Sequence, residues 1–504
     1  APERYADAAL EGMRRLLGSD AAGLDGGLVE EVRMGTTVAT NALLERRGER
    51  TLLVITRGLG DVLRIGTQQR PQLFALDIEL PPPLYAGVIE ADERLCADGS
   101  VLVPLDQSAL ATALEQACAQ GFTAVAIVLL HGYRYPEHER AAAQLARAAG
   151  FTQVSVSHEV SPLARIVPRG ETTVADAYLS PVLERYVARL RATLQGPRLL
   201  FMQSNGGLAE ADRFRGRDSV LSGPAGGVVG MAAAGRAAGF ERLIGFDMGG
   251  TSTDVCLYEG EFERSHDNQV AGVRLQAPML LIHTVAAGGG SLLAFRDGRF
   301  QVGPASAGAD PGPACYGRGG PATVTDANLV LGRLQADGVP AVFGPRGDQP
   351  LDRDAALARL HAIGTEIHAA TGQPAPAPEA IAAGFLEVAV ERMARAVKQV
   401  SVRRGAHPGH FTLCAFGGAA GQHACDVADA LDIDTVLLPP LAGVLSAWGI
   451  GLADLVALRQ APVQAPLDAA TLAQAERTLA RLGAEAAAAL EAQGVAGEAI
   501  RVAA

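Results

Sequence analysis

Lysine is all but missing from this chain. Lys398 is the only one, and Gln399 follows it. A P-loop needs Gly-Lys followed by Ser or Thr, because the ammonium reaches the outer phosphates while the hydroxyl meets the metal; that nucleotide motif is therefore excluded. The six cysteines (Cys96, Cys118, Cys256, Cys315, Cys414, Cys425) include no Cys-x-x-Cys pair. Their scatter argues for a reducing compartment, hence a cytoplasmic location, and against a disulfide or zinc framework. No apolar run reaches the roughly 18 residues of a membrane helix, so no membrane partner is expected. A basic stripe is absent too. The net charge is −12, so nucleic acid is not an expected partner.

What is present is a globular composition, 48% apolar and 19% charged, in 504 residues. That length exceeds one ordinary core; at roughly 150 residues per domain it suggests about three. Gly (59) and Pro (28) are both abundant, which points to tight turns and close backbone approaches. The chain begins without Met inside an expected helix, Tyr5 to Leu17, and stops at Arg501-Val-Ala-Ala. We expect a fragment cut at both ends.

Strand and helix patterns alternate. Strands are expected at Val29–Met34, Thr51–Thr56, Phe122–Leu130 and Phe151–Ser157, with helices from Gly35-Thr36-Thr37 to Gly48, from the cap Asp106 to before Gly121, and at Glu137–Ala149. Ser180-Pro181 is expected to start a further helix, Leu199–Gln203 to be a strand, and Ser222–Gly227 to open a helix. Arg242–Phe246 reads as a strand with Asp247 at its end. Val302–Gly320 reads as a long functional loop, Thr371–Pro378 as a stiff linker, and Glu379–Arg404 as a long helix. Phe411–Phe416 is a strand that turns at Gly417-Gly418 into a helix through His423. The tail from Leu467 is Ala-rich and helical. This alternation favours an α/β layer architecture, divided into residues 1–180, 181–455 and 456–504.

The chemistry concentrates in Asp247-Met248-Gly249-Gly250-Thr251-Ser252-Thr253-Asp254. Glycines let backbone N–H groups reach phosphate oxygens with no Cβ in the way. Thr251, Ser252 and Thr253 add hydroxyl donors. Asp247 and Asp254 are the expected catalytic pair and the expected Mg²⁺ ligands, directly or through water. A hairpin with polar turn residues is the bland alternative. Gly288-Gly289-Gly290 could approach phosphate or simply pack. Asp310, Asp326 and His283 could gather around a metal or could be loop residues. His423 could touch ligand or fill a core. Cys315 has no His spaced for a thiolate pair and is not expected to be a nucleophile.

The octet resembles the second phosphate loop of the superfamily of actin-like ATPases, sugar kinases and heat-shock chaperones. That resemblance implies a two-lobed, ribonuclease H-like ATPase fold, incomplete at the N-terminus because the first phosphate loop would lie upstream of Ala1. It also implies that Gly417, Gly418 and Gln422 hold the adenosine of ATP. Longer segments are similar to the hydantoinase A and 5-oxoprolinase family: Arg33–Gly48, Met202–Gly207, Leu221–Gly227, Ala286–Ser291, Gly303–Gly317 and Val324–Asn328. Gly417–Ala424 and Leu445–Asp454 look more like 5-oxoprolinases. The family commonly has His where this chain has Met34, and Arg where it has Thr67.

The resemblance implies ATP-driven opening of a cyclic amide such as 5-oxoproline, with Mg²⁺ and a K⁺ requirement left open. Thr36, Thr37, Asn41 and Asn205 would then position substrate. A hydantoinase B-type hydrolase domain or subunit would complete the reaction in an oligomeric assembly. A hydantoinase-type ATPase, an acetone carboxylase β-type subunit, and a nucleotide-switched actin-like assembly protein remain as alternatives.

Overall fold

The computed structural model describes residues 8–18, 29–68, 74–77, 80–194 and 196–503. The chain forms two units: residues 1–223, 264–279 and 453–504 make the first, and 224–263 with 280–452 the second. The helix expected from Tyr5 is α1, Ala8–Leu17; its first three expected residues lie outside the described ones.

In the first unit, β1 (Glu31–Met34) leads into a short α2 (Val38–Leu44). The helix does not reach Gly48: Arg46 takes a left-handed φ of 55°, which an α-helix cannot continue through. The strands β2 (Thr51–Thr56), β3 (Tyr85–Ala91), β4 (Ala124–Val128) and β5 (Gln153–Val156) form a parallel sheet in the order β3-β2-β4-β5. Every residue of β2 and β4 is buried, as parallel strands covered on both faces must be. The crossover helices α3 (Gln107–Ala119) and α4 (Glu137–Ala149) start and stop on their sequence signals. Asp106 accepts a hydrogen bond from the Ala109 N–H at 2.9 Å, and Gly150 ends α4 at φ 103°.

The next helix departs from expectation. α5 runs from Ile166 to Thr193 with Pro181 inside it, rather than starting at Ser180-Pro181. Residues 172–181 are all buried. A helix surrounded on every side shows no 3.6-residue stripe, so its first half is invisible to a search for an amphipathic face. Its Arg169 is fully buried beside the fully buried Glu139 of α4. Glu139 accepts from the Leu129 N–H (2.8 Å), the Ser157 hydroxyl (2.5 Å) and the His158 N–H (3.0 Å), and its Oε2 is 2.7 Å from His158 Nδ1. Arg169 donates to the Ser157 hydroxyl and to the Leu129 and Leu130 carbonyls. These groups lie where β4 and β5 end, so one paired network ties the strand ends together.

A second sheet pairs β1 in parallel with β6 (Arg198–Met202), which runs antiparallel to β7 (Leu208–Glu210). Met34 lies opposite Phe201. The segments that follow, around Thr36 and Asn205, therefore leave from the same end of the sheet.

In the second unit, β8 (Arg242–Met248) is central. It runs antiparallel to β9 (Thr253–Glu259), and β9 runs antiparallel to β10 (His283–Val285). On its other side β8 runs parallel to β13 (Thr412–Phe416), which pairs with β14 (Val436–Leu437). The strands continue further into the octet than expected, and only Gly249–Ser252 turns. The expected loop from Val302 begins as a hairpin, β11 (Ser291–Arg296) with β12 (Arg299–Ser306); regular pairing stops there, and Gly and Pro carry the rest. The helices α6 (Ser222–Ala237), α7 (Val324–Val330), α8 (Arg353–Thr371) and α9 (Pro378–Ser401) are joined by α10 (Ala424–Asp429) and α11 (Leu445–Leu452), and the expected Ala-rich tail helix is α12 (Ala469–Glu491) of the first unit. α9 buries Ile381, Phe385, Ala389, Met393 and Val397, an i, i+4 face in the same core as Phe246 and Val255 of the sheet. Each such large side chain contributes roughly 1.5–3 kcal/mol on leaving water.

Candidate nucleotide site

The antiparallel register of β8 and β9 sets Asp247 directly opposite Asp254. The parallel register of β8 and β13 sets Asp247 beside Phe416, the residue before Gly417. One strand end thus gathers the two carboxylates, the Gly249–Ser252 turn and the Gly417-Gly418 turn. The Ala419 N–H donates to the Met248 carbonyl at 2.9 Å, which fixes the second turn against the first.

The glycines do different work. A Cβ on Gly417, which has φ 84°, would stand 2.4 Å from Asp247 Oδ1 and 2.6 Å from the Met248 carbonyl oxygen. Only glycine suits that position. A Cβ on Gly288 would stand 2.7 Å from the Thr251 nitrogen, so this glycine lets the 288–290 segment lie on the octet's turn. The Gly289 and Gly290 N–H groups donate to the Gly249 and Gly250 carbonyls at 3.0 and 2.6 Å, and those two amides are therefore occupied by the loop itself. Gly249, Gly250 and Gly418 face open space, leaving room for a ligand to reach the backbone.

The carboxylates are electrostatically unsettled. Burial, and then the charge of Asp254, push Asp247 up from its ordinary value to about 6. Burial raises Asp254 as well, against the opposing pull of the Thr284 hydroxyl, which donates at 2.5 Å, and of His283. Two oxygen-ligand anions held together and partly out of water suit a hard divalent cation whose remaining ligands are water and phosphate. Among the described residues no group of three or more His, Cys, Asp or Glu could hold a metal, so any cation here depends on ligands beyond the protein's side chains.

Several residues singled out in the sequence have other partners. Thr253 is buried and donates its hydroxyl to the Ala287 carbonyl. Asp326 is committed to its own loop: it accepts from the Ala314, Cys315 and Thr323 N–H groups and caps α7. It therefore serves as a cap and is not a metal ligand, whereas His283 stays near Asp254. Cys315 is buried with its thiol pushed far up, an inert state. Gln422 sits in a short 3-10 turn after Gly418. His423 is fully buried, pushed down to about 4 chiefly by burial, and its Nε2 is 3.1 Å from Asn328 Nδ2.

In the first unit, Thr36 exchanges backbone and hydroxyl contacts with Ser222. Asn41 Nδ2 donates to the Thr37 hydroxyl at 3.3 Å. Asn205 is buried and accepts from the Gly207 N–H at 2.8 Å. Sequence reasoning missed Thr284. An isolated Thr in a three-residue strand carries no spacing signal, and only the β9–β10 register aims it at Asp254.

An α/β fold with this carboxylate pair and these glycine turns belongs to the ATPase-like class. Hydantoinase/oxoprolinase models match residues 3–150 and 169–459. The chain is 44% identical to 5-oxoprolinase 1 of Arabidopsis thaliana over 500 residues, covering 92% of this chain and 40% of that protein. It is 42% identical to 5-oxoprolinase of Saccharomyces cerevisiae, covering 92% and 39%. The chain thus spans about two fifths of the length of these relatives. The ATP-dependent caprolactamase of Pseudomonas jessenii superposes with TM-score 0.82 at 34% identity, over 96% of this chain and 70% of that one. A nucleotide-free acetone carboxylase structure, at TM-score 0.69 and 24% identity, shares the fold. The chain is a member of the hydantoinase/oxoprolinase family. No helix among the described residues is long and apolar enough to cross a membrane.

Proposed function

We propose that this chain is the ATP-handling, phosphoryl-transferring part of a cyclic-amide hydrolase, and that its substrate is 5-oxo-L-proline. The observation that carries the reading is the cross-strand pair Asp247–Asp254 set against the Gly417-Gly418 turn. The greater identity to the Arabidopsis and yeast 5-oxoprolinases than to the caprolactamase α subunit, which is 38% identical over 84% of the chain, favours 5-oxoproline over other lactams.

An amide carbonyl resists water because nitrogen donates electron density into it. Transfer of the γ-phosphoryl of ATP to the amide oxygen breaks the bond between the β- and γ-phosphoryl groups, forms a new P–O bond, and leaves an electron-poor imidate carbon that bears phosphate. One water then adds to the carbon, the C–N bond breaks as nitrogen takes up a proton, and a second water hydrolyses the resulting acyl phosphate to carboxylate and phosphate. The products are glutamate, ADP and phosphate. Mg²⁺, held by Asp247 and Asp254, would neutralise phosphate charge. Gly249, Gly250 and Thr251 present backbone and hydroxyl donors to phosphate, Gly288–Gly290 brace that loop, and Gly417, Gly418 and Gln422 border the adenosine. Positioning and charge stabilisation do most of the protein's work in such a transfer. Thr36, Thr37, Asn41 and Asn205 are assigned to substrate. A partner hydrolase domain or subunit completes the ring opening, in the cytoplasm.

The test uses the longer protein with its partner. Asp254→Ala should reduce 5-oxo-L-proline-dependent release of ADP and glutamate by at least about a hundredfold, as loss of electrostatic stabilisation at a transferring phosphoryl predicts. Unchanged ring opening in Asp247→Ala and Asp254→Ala would sink the assignment.

A further inference from the structure

Asn328 and His423 meet inside the second unit, 1% and 0% exposed. Asn328 Nδ2 is 3.1 Å from His423 Nε2. Burial pushes His423 down to about 4, so its ring is neutral at pH 7, with one donor and one acceptor nitrogen. With Nε2 accepting from the Asn328 amide, the proton sits on Nδ1. That nitrogen and Asn328 Oδ1 have no hydrogen-bond partner among the described residues. Each such orphan costs roughly 1–3 kcal/mol. Two leucines would fill the space without that cost, so stability does not explain the pair.

Its place in the fold does. On one side, His423 follows directly on the turn from Gly418 to Gln422. Its N–H donates to the Ala420 carbonyl at 3.0 Å, and its own carbonyl opens α10 by accepting from the Val427 N–H at 2.9 Å. On the other side, Asn328 lies in α7, one helical turn after Thr325. The Thr325 N–H and hydroxyl both donate to the Gly289 carbonyl, at 2.7 and 2.8 Å. The Gly289 N–H donates in turn to the Gly249 carbonyl at 3.0 Å. A continuous line thus runs from the Gly249–Ser252 turn through Gly289, Thr325, Asn328 and His423 to the Gly417-Gly418 turn.

The two turns also touch directly, through the Ala419 N–H and the Met248 carbonyl. One such bond fixes a distance and leaves rotation about itself free. A second tie, set apart from the first, removes that rotation. Arg333, just beyond α7, pairs with Asp426 of α10, but both side chains reach solvent, which screens such a pair. The buried amide–imidazole bond is the stiffer tie, because it lies where the local dielectric is low.

We propose that Asn328 and His423 are positioning residues that hold the adenosine turn in register with the phosphate turn, so that one nucleotide meets both. The inference rests on the functional reading above and deepens it. The pair touches no ligand; it acts through Gly289 on one side and through the Gly418 turn on the other. Halves held in register add their binding within one molecule, whereas halves out of register bind one part at the expense of the other.

The experiment measures, on the longer protein with its partner, the affinities of adenosine, Mg-pyrophosphate and the Mg complex of a non-hydrolysable ATP analogue. The first two occupy one half each, and the third needs both in register. His423→Leu and Asn328→Leu remove the tie at similar volume. Each should leave adenosine and Mg-pyrophosphate within about twofold of the parent and weaken the intact analogue at least about tenfold, in the range of a coupling between two sites. His423→Gln carries an amide oxygen near the Nε2 position, still accepts from Asn328, and should recover most of that loss. The double variant His423→Leu/Asn328→Leu removes both orphaned atoms; its urea midpoint should not fall below the parent's, while the analogue stays weak. An unaffected analogue, an equal loss of all three ligands, or no recovery in His423→Gln would each overturn the proposal. Failure of both single variants and the double variant to fold would also overturn it, by making the pair a core former. A parent that binds none of the three ligands removes the functional reading itself. A parent that binds all three, with variants that match it, removes the tie alone.

Discussion

Glu139 in the first unit and Asp247 in the second are both acids held largely out of water, and their surroundings are opposite. Glu139 meets backbone and hydroxyl donors, an imidazole and the neighbouring charge of Arg169. Asp247 meets another carboxylate across the strand pair. A buried charge that is fully partnered fixes local structure. One set beside a like charge raises the energy of the empty site and releases that energy when a cation arrives. The contrast separates a structural centre from the proposed functional one.

The sharpest way to break the contrast is to remove one partner of the satisfied centre. Arg169→Met leaves Glu139 buried with no cation, which costs on the order of 3–5 kcal/mol. Urea unfolding of the whole chain should show that loss. A change below about 1 kcal/mol would mean that water reaches Glu139, and the two centres would no longer differ in kind.

The same operation on the second centre should act in the opposite direction. Asp247 titrates near 6 in the folded chain against an ordinary 3.8. Its raised value favours folding while the group is protonated, and that benefit is lost as pH rises through about 6. At pH 7 the ionised form is a burden, and Asp247→Asn should relieve roughly 2–3 kcal/mol of it. The variant should therefore unfold at higher urea than the parent at pH 7, with the difference shrinking toward pH 4. Mg-nucleotide affinity should be lost at once. In the parent, that affinity should weaken as pH falls through about 6, because the proton competes with the cation. Destabilisation by Asp247→Asn at pH 7 would remove the idea of a poised pair.

How much of this was legible beforehand follows the range of the interactions. The octet, the Gly417-Gly418 turn, the cap at Asp106 and the stop at Gly150 are local signals and were read from sequence. The fold class and family were legible in long motifs. The first half of α5 was hidden because burial on all sides erases periodicity. The Glu139–Arg169 centre joins residues 30 apart, through a serine and two carbonyls that no spacing rule connects. Thr253 looked like a free hydroxyl in a turn. The β8–β9 ladder instead carries it inward to the Ala287 carbonyl.

Within the candidate site, two adjacent glycines sharpen the comparison further. Gly417→Ala places a methyl against Asp247 and the Met248 carbonyl at a positive φ. The left-handed conformation alone costs about 1 kcal/mol, and the clash adds to it. Stability and nucleotide affinity should both fall, read by thermal unfolding and by titration with a non-hydrolysable ATP analogue.

Gly418→Ala is the smallest change and the cleanest. Its new Cβ meets nothing within 4 Å, and its φ is not among the positive ones, so unfolding should shift by no more than about 0.5 kcal/mol. A methyl there intrudes only on a ligand lying along the turn. If adenosine occupies that space, analogue affinity should drop several-fold while the urea midpoint stays fixed. An unchanged affinity would remove the adenosine from Gly418 and leave Asp247 and Asp254 holding a phosphate site whose nucleoside lies elsewhere.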